Sequence, residues 1–196
     1  MRGAGETIRT LLVTSGDKSA EALRAMLDPK VCAPIEVANS CSDARQKLLG
    51  GEFGLVVINA PLSDESGCRL ASDISTTTSA GVILLVKGEL ADQVSAATAG
   101  DGVITLGKPV SRAQVTGAVS VLASVLAKLA RYEAEKRELT RKLDETRVTC
   151  RAKCLLMEKM GLSEQDAHRY LEKQAMDNRM TRMDFAKSLI RMFAEE

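Results

Sequence analysis

The chain has 196 residues, 45% of them apolar and 27% charged, with a formal net charge of +1; this balance fits one large or two small globular domains and argues against a disordered, collagenous or membrane protein. Five cysteines at irregular spacing and one histidine, His168, argue against a disulfide framework, a His-rich metal site or a Ser/His/Asp apparatus. No apolar run is expected to reach the ~20 residues of a bilayer span and residues 1–6 lack a signal-peptide core, so the expectation is a cytoplasmic protein with no membrane contact, no metal and no cofactor.

In chain order, Ile8–Thr14, Ile35–Ala38, Leu55–Asn59, Val82–Val86 and Val103–Leu106 read as short buried strands rich in β-branched residues. Between them, Ser19–Leu27, Ser42–Leu49, Cys68–Ile74 and Ala91–Ala99 carry apolar residues at helical spacing. Strands that alternate with helices predict a doubly wound α/β fold with five parallel strands, because parallel neighbours need crossover connections. Ligands of such sheets sit at the carboxyl ends of the strands, here Ser15–Asp17, Asn59–Ala60, Val86–Gly88 and Gly107–Lys108.

All four prolines and 13 of the 14 glycines lie at or before Gly117, so the remainder is free to be almost wholly helical. A heptad can be written with Val115, Leu122, Leu129, Lys136, Leu143 and Cys150 at a and Ala118, Val125, Tyr132, Leu139 and Thr146 at d. It predicts a long coiled-coil helix that pairs two copies through Leu122, Val125, Leu129, Tyr132, Lys136, Leu139 and Leu143, with Lys136 weakening the seam while selecting a register. The alternative is one amphipathic helix packed on its own domain. Gly161 reads as the stop of this helix, and Ser163 with Asp166, then Thr181 with Asp184, as caps of two shorter ones. Leu155, Leu156, Met160, Leu162, Ala167, Leu171, Ala175, Phe185, Ala186, Leu189 and Ile190 are the expected core of a small all-α bundle. The expected division is 1–114 for the sheet domain, 115–150 for the coiled coil and 151–196 for the bundle. From Lys128 onward 16 Lys and Arg face 13 Asp and Glu, an asymmetry that permits an anionic partner without demonstrating one.

Over residues 7 to about 120 the order of elements resembles the receiver domain of two-component response regulators. Leu55-Val56-Val57-Ile58-Asn59 with Pro61 and Gly67, and Gly102-Val103-Ile104-Thr105 with Lys108-Pro109, carry the resemblance. An active receiver holds Mg²⁺ on acidic residues after its first strand and phosphorylates an Asp at the end of its third, since carboxylates bind a hard cation and a carboxylate oxygen must attack phosphorus. Here Ser15 and Gly16 stand where the acidic pair belongs, with Asp17 the nearest carboxylate. Asn59 takes the acceptor position, and Val86 or Lys87 the hydroxyl position. Lys108 alone survives. The expectation is a pseudo-receiver that is not phosphorylated and serves folding, dimer contact or protein binding.

The segments Ala152-Lys153-Cys154-Leu155-Leu156-Met157, Gly161, Ser163-Glu164-Gln165-Asp166-Ala167 and Tyr170-Leu171-Glu172-Lys173-Gln174-Ala175-Met176 resemble the ANTAR domain of bacterial transcription antiterminators. This resemblance implies binding to paired hairpin loops of a nascent leader transcript, so that a terminator hairpin cannot form. A receiver-like domain, a coiled coil and an ANTAR domain in that order is the family's common architecture. RNA loops are held by cations on phosphates and by planar or apolar groups on splayed bases. The candidate RNA-binding residues are therefore Arg147, Arg151, Ala152, Lys153, Met157, Arg169, Tyr170, Lys173, Gln174, Arg179 and Arg182. Helical Arg and Lys are more often a solvated face, and Tyr170 or the methionines a half-buried core. The competing reading is a protein-binding and oligomerisation module whose pseudo-receiver docks a sensor or sequestering partner. A DNA-binding regulator lacks a recognisable helix-turn-helix. No nucleophile, base and orienting group converge on any motif, so no enzyme is expected.

Overall fold

A computed structural model describes residues 7–194. The N-terminal part alternates strands β1 (Ile8–Thr14), β2 (Cys32–Ala38), β3 (Leu55–Asn59), β4 (Gly81–Lys87) and β5 (Ile104–Lys108) with helices α1 (Asp17–Met26), α2 (Cys41–Leu49), α3 (Cys68–Thr77) and α4 (Ala91–Thr98). All neighbouring strands run parallel, in the order β2-β1-β3-β4-β5, the doubly wound parallel sheet expected from the alternation. Successive strand residues feed opposite faces. Leu11, Val13, Val56, Ile58, Val82, Leu84 and Val86 enter one core with Leu70, Ala71 and Ile74 of α3. Leu12, Leu55, Val57, Ile83 and Leu85 enter the other with Ala20 and Leu23 of α1. Both faces are covered, so the central strands are continuous apolar runs and not alternating ones. β2 begins three residues earlier than its apolar run, at Cys32, and contains Pro34. It lies at the edge of the sheet, where the missing proline N–H costs no ladder bond.

Helix α5 (Arg112–Met160) starts on a reciprocal cap: Ser111 Oγ accepts from the Gln114 amide at 3.3 Å while Gln114 Oε1 accepts from the Ser111 amide at 2.8 Å. Its opening turns cover the second face of the sheet through Val115, Ala118, Val119 and Leu122. Leu122 packs so closely on the start of β4 that a Cβ at Gly81 would lie 3.2 Å from both of its methyls. This corrects the assignment of Leu122 to the dimer seam, because the sheet has already buried it. By length and composition α5 is apolar enough to cross a membrane, against the expectation that no run would be. Burial on the sheet accounts for only part of that apolarity, since 22% of the apolar window is buried. Beyond the opening turns Val125, Leu129, Tyr132, Leu139 and Leu143 are exposed.

Gly161 ends α5 at φ +68° and donates to Met157 O at 3.1 Å, as a glycine at this left-handed position does. Helices α6 (Glu164–Asp177) and α7 (Arg182–Ala194) follow. Ser163 Oγ accepts from the Asp166 amide, and Thr181 Oγ1 from the Asp184 amide, each at 3.1 Å. Ala152 and Leu156 of α5 pack with Ala167, Leu171, Ala186 and Leu189, flanked by Val148, Tyr170, Phe185 and Phe193. Met160, expected in this core, is exposed as the last residue of α5. Packing divides the chain into two compact units, Met1–Arg131 and Tyr132–Glu196.

Candidate nucleic-acid interface and receiver-like site

The strand ends at the carboxyl edge of the sheet hold amides, hydroxyls and lysines. Asn59, last residue of β3, donates from Nδ2 to Thr14 Oγ1 at 2.9 Å. Thr14 is fully buried and was not singled out in the sequence; its place at the end of the neighbouring strand, in register with Asn59, was the available signal. Lys108 Nζ, at the end of β5, donates to Ala60 O. Lys87 stands beside Lys108 in the β4–β5 register, and burial, then the Lys87 charge, pushes the Lys108 ammonium below the usual lysine range. Ser15 is exposed, Gly16 is the N-cap of α1 at φ +95°, and Asp17 begins that helix. The acids of the next loop are committed elsewhere. Asp64 accepts from the Cys41 and Ser42 amides at 2.9 and 3.0 Å, capping α2, and Glu65 grips Arg45 at 2.6 Å. Burial, then the charge of Asp64, drives the Cys41 thiol up to about 11, so this cysteine is a core residue and not a thiolate.

In the helical unit the buried row on α5 is Val148, Ala152 and Leu156, four residues apart. Ala152 has no exposed surface, which corrects its assignment as an RNA contact: its methyl is part of the bundle core, where a small residue lets helices approach. Arg147 and Arg151 sit one residue before members of this row, about 100° around the helix, and both are exposed. Lys153 sits one residue after it and donates to Glu164 Oε1 at 2.7 Å, tying the end of α5 to the first residue of α6. That bond holds the Lys153 ammonium above its usual range and the Glu164 carboxyl below its own. On α6, Ala167, Leu171 and Ala175 point into the core, so Arg169 and Lys173, two residues out of step, lie on the opposite, exposed face. Tyr170 and Gln174 are half-buried. Arg179 adopts φ +54° in the turn before α7. Arg182 and His168 both reach Glu172 Oε1, at 3.2 and 3.3 Å. The His168–Glu172 pair follows from i,i+4 helix spacing, whereas Lys153–Glu164 and Arg182–Glu172 join residues of different helices and were not legible. Among the described residues, Arg147, Arg151, Arg169, Lys173 and Arg179 make no ion pair.

The model of the ANTAR domain matches residues 137–190. The helical end is an ANTAR domain. Transcriptional regulatory protein PdtaR of Mycobacterium tuberculosis is 27% identical over 149 residues, covering 74% of this chain and 73% of that protein. The sheet unit is similar in fold to the signal receiver domain of an HD domain-containing protein from Pseudomonas fluorescens, with TM-score 0.56, 24% identity and coverage of 67% of this chain and 98% of that one. It is likewise similar to a two-component response regulator from Clostridium difficile, with TM-score 0.51, 23% identity and coverage of 59% and 96%. A receiver-like fold followed by an ANTAR match is the arrangement of an ANTAR response regulator, and these likenesses support a transcription regulator of the antiterminator type.

Proposed function

We propose that the ANTAR domain binds hairpin loops of a nascent leader transcript and keeps a terminator hairpin from forming. The observation that carries this reading is the ANTAR match over a unit whose outer surface bears Arg147, Arg151, Arg169, Lys173 and Arg179, none with an acidic partner among the described residues. Guanidinium and ammonium groups attract loop phosphates and release their counterions. Arg169 and Lys173 stand one turn apart on the face of α6 turned from its core, so one stretch of backbone can engage both. Lys153 reaches RNA only when its bond to Glu164 opens. Two copies pair through the exposed seam of α5 from Val125 to Leu143, and each presents one such surface. A transcript with two suitably spaced hairpins then gains from effective concentration. The protein works where transcripts are made, in the cytoplasm.

The receiver-like unit, in this reading, does not accept phosphate. The Asn59 amide lacks a nucleophilic oxygen, and Ser15 and Gly16 supply no charge for a divalent cation. Input arrives through protein level or a sensor or sequestering protein that docks on this unit. The test titrates one-hairpin and two-hairpin leader RNAs against the full chain at two salt concentrations. Expected are tighter binding of the two-hairpin RNA, weakening with salt, and a shallower salt slope, by about one per residue, in Arg169→Ala and Lys173→Ala. Lys108→Ala leaves both unchanged. Equal affinity for unrelated RNA would move the assignment to a protein-binding module. A small phosphodonor with Mg²⁺ is expected to leave the intact mass of the chain unaltered.

A further inference from the structure

Helix α6 sets two cations and an exposed apolar side chain in one row. Arg169, Lys173 and Met176 are spaced i, i+4 and i+7 on the face turned from Ala167, Leu171 and Ala175. Met176 is 78% exposed, more than any other large apolar side chain described in the ANTAR unit, and so is not the half-buried core residue that a helical methionine ordinarily is. Tyr170, the aromatic ring of the same helix, packs against the core. The acids of α6 lie outside the row. Glu164 holds Lys153, Asp166 accepts from Ser163 at the cap, and Glu172 takes Arg182 and His168. Asp177 stands about 100° round the helix from Met176 and makes no ion pair among the described residues.

The turn after α6 adds an independent observation. Arg179 donates its amide to Met176 O at 3.0 Å, and Met180 donates to Ala175 O at 2.9 Å, the paired bonds that close a helix around a left-handed residue. That residue is Arg179, at φ +54°, and among the described residues it is the one non-glycine at positive φ. Helix α5 ends at the same kind of position on Gly161, φ +68°, which carries no Cβ to crowd its carbonyl. A side chain kept where glycine sits without strain points to a use for that side chain. The bonded turn ties Arg179 to Met176, so a third cation follows directly on the row. The dipole at the end of α6 also favours a cation, and the two roles differ in what they do to stability.

We propose that Met176 and Arg179 seat one unpaired nucleotide, the thioether against the face of its base and the guanidinium on its phosphate, while Arg169 and Lys173 hold the backbone that leads to it. This rests on the reading of the ANTAR domain as RNA-binding. A paired stem presents phosphates, which serve the cations, but its bases are stacked on one another and leave Met176 nothing to lie against. A base splayed from a loop has a free face, and contact with that face tolerates any sequence because every base has one. Met176 is thus the residue by which the domain tells a loop from a stem, whereas the cations bind either. An acidic protein surface would satisfy the cations and leave the thioether without a partner.

The experiment titrates the full-length chain with the leader hairpin that it binds most tightly, with the same stem as a loopless duplex, and with hairpins in which one loop nucleotide at a time is abasic. Met176→Ala is expected to weaken the hairpin about five- to tenfold, to leave the duplex and the salt slope unchanged, and to be largely rescued by Met176→Leu. At one abasic position, and only there, Met176→Ala has no further effect, because the base it serves is already gone. Arg179→Gly is expected to lower hairpin affinity with a salt slope shallower by about one, while the unfolding midpoint of the ANTAR domain holds or rises. Equal losses on hairpin and duplex, or the same loss at every abasic position, overturn the seat. So does an Arg179→Gly chain that loses stability and keeps its salt slope, or a Met176→Ala chain that sediments differently from its parent without RNA, which would place Met176 in a contact between copies. A parent chain that binds no hairpin, or binds the duplex as tightly, overturns the RNA reading and the seat together.

Discussion

The core of the sheet unit is built mostly from leucine, isoleucine and valine at its buried strand positions, whereas alanine fills Ala152, Ala167, Ala175 and Ala186 in the buried part of the ANTAR domain. Alanine lets three short helical faces approach closely, but each such position removes little apolar surface from water. The sheet buries both faces and rests on apolar packing rather than on charge at its strand ends, where Asn59 still donates to Thr14. The ANTAR domain is the reverse. Its core is small, its outer faces are charged, and its hold on shape depends on a few leucines, three end caps and a bridge between α5 and α6.

The largest effect follows from that asymmetry. Leu85 of β4 and Leu171 of α6 are both fully buried, and truncating either to alanine removes about 2–5 kcal/mol. In the sheet unit that loss lowers the unfolding midpoint. In a unit of this size, with little stability in reserve, the same loss unfolds it. Leu171→Ala is therefore expected to abolish RNA binding and erase helical protection in hydrogen exchange after Tyr132, while the sheet amides stay protected. Leu85→Ala is expected to leave RNA binding measurable at 25 °C. If both variants lose protection throughout the chain, the two units do not differ as their cores suggest.

A second, smaller effect separates what holds each unit from what pairs two copies. Leu129 and Leu143 are exposed on α5 and take no part in either core. The double change Leu129→Glu and Leu143→Glu leaves each folded unit intact, yet puts like charges into two layers of the seam, where burial without a partner is strongly unfavourable. The expected outcome is a monomer by sedimentation with an unaltered far-UV spectrum and a weakened preference for two-hairpin over one-hairpin RNA. Persistence of the dimer would mean that another surface pairs the copies.

Much of this architecture is legible in the sequence because its signals are local. The strand runs, the glycine stop at Gly161 and the Ser163 and Thr181 caps each depend on neighbours within four residues. Motif residues for the ANTAR domain are equally contiguous. What could not be read depends on tertiary context. Leu122 carries a faultless heptad position, yet the sheet claims it first, and only its contact with Gly81 reveals that. Ala152 belongs to the motif as a small residue in the core and not as a contact. β2 hides its first three residues because proline is a poor strand former except at an edge. Lys153 looks like one more free cation in the chain, and its partner Glu164 lies across a helix break, 11 residues away.

That pair supplies the smallest effect. In the folded protein the bond to Lys153 holds the Glu164 carboxyl below its usual 4.5, so its contribution is present above that value and fades as pH falls through the depressed folded value. The bond to Glu164 holds Lys153 above its usual 10.5, so that contribution is present below 10.5 and fades as pH rises through the elevated one. Both partners are charged between these limits, and there Glu164→Gln is expected to destabilise the ANTAR domain slightly. The difference from the parent chain should close in strong acid and strong base. Glu164 is 72% exposed, so salt screens the effect and its size is that of a surface pair. The same change releases a cation toward solvent. Glu164→Gln should therefore steepen the salt dependence of RNA binding by about one counterion even as it costs stability, whereas Lys153→Ala costs stability without steepening it. A Glu164→Gln chain whose salt slope matches the parent would show that Lys153 is a brace between α5 and α6 and takes no part in holding RNA.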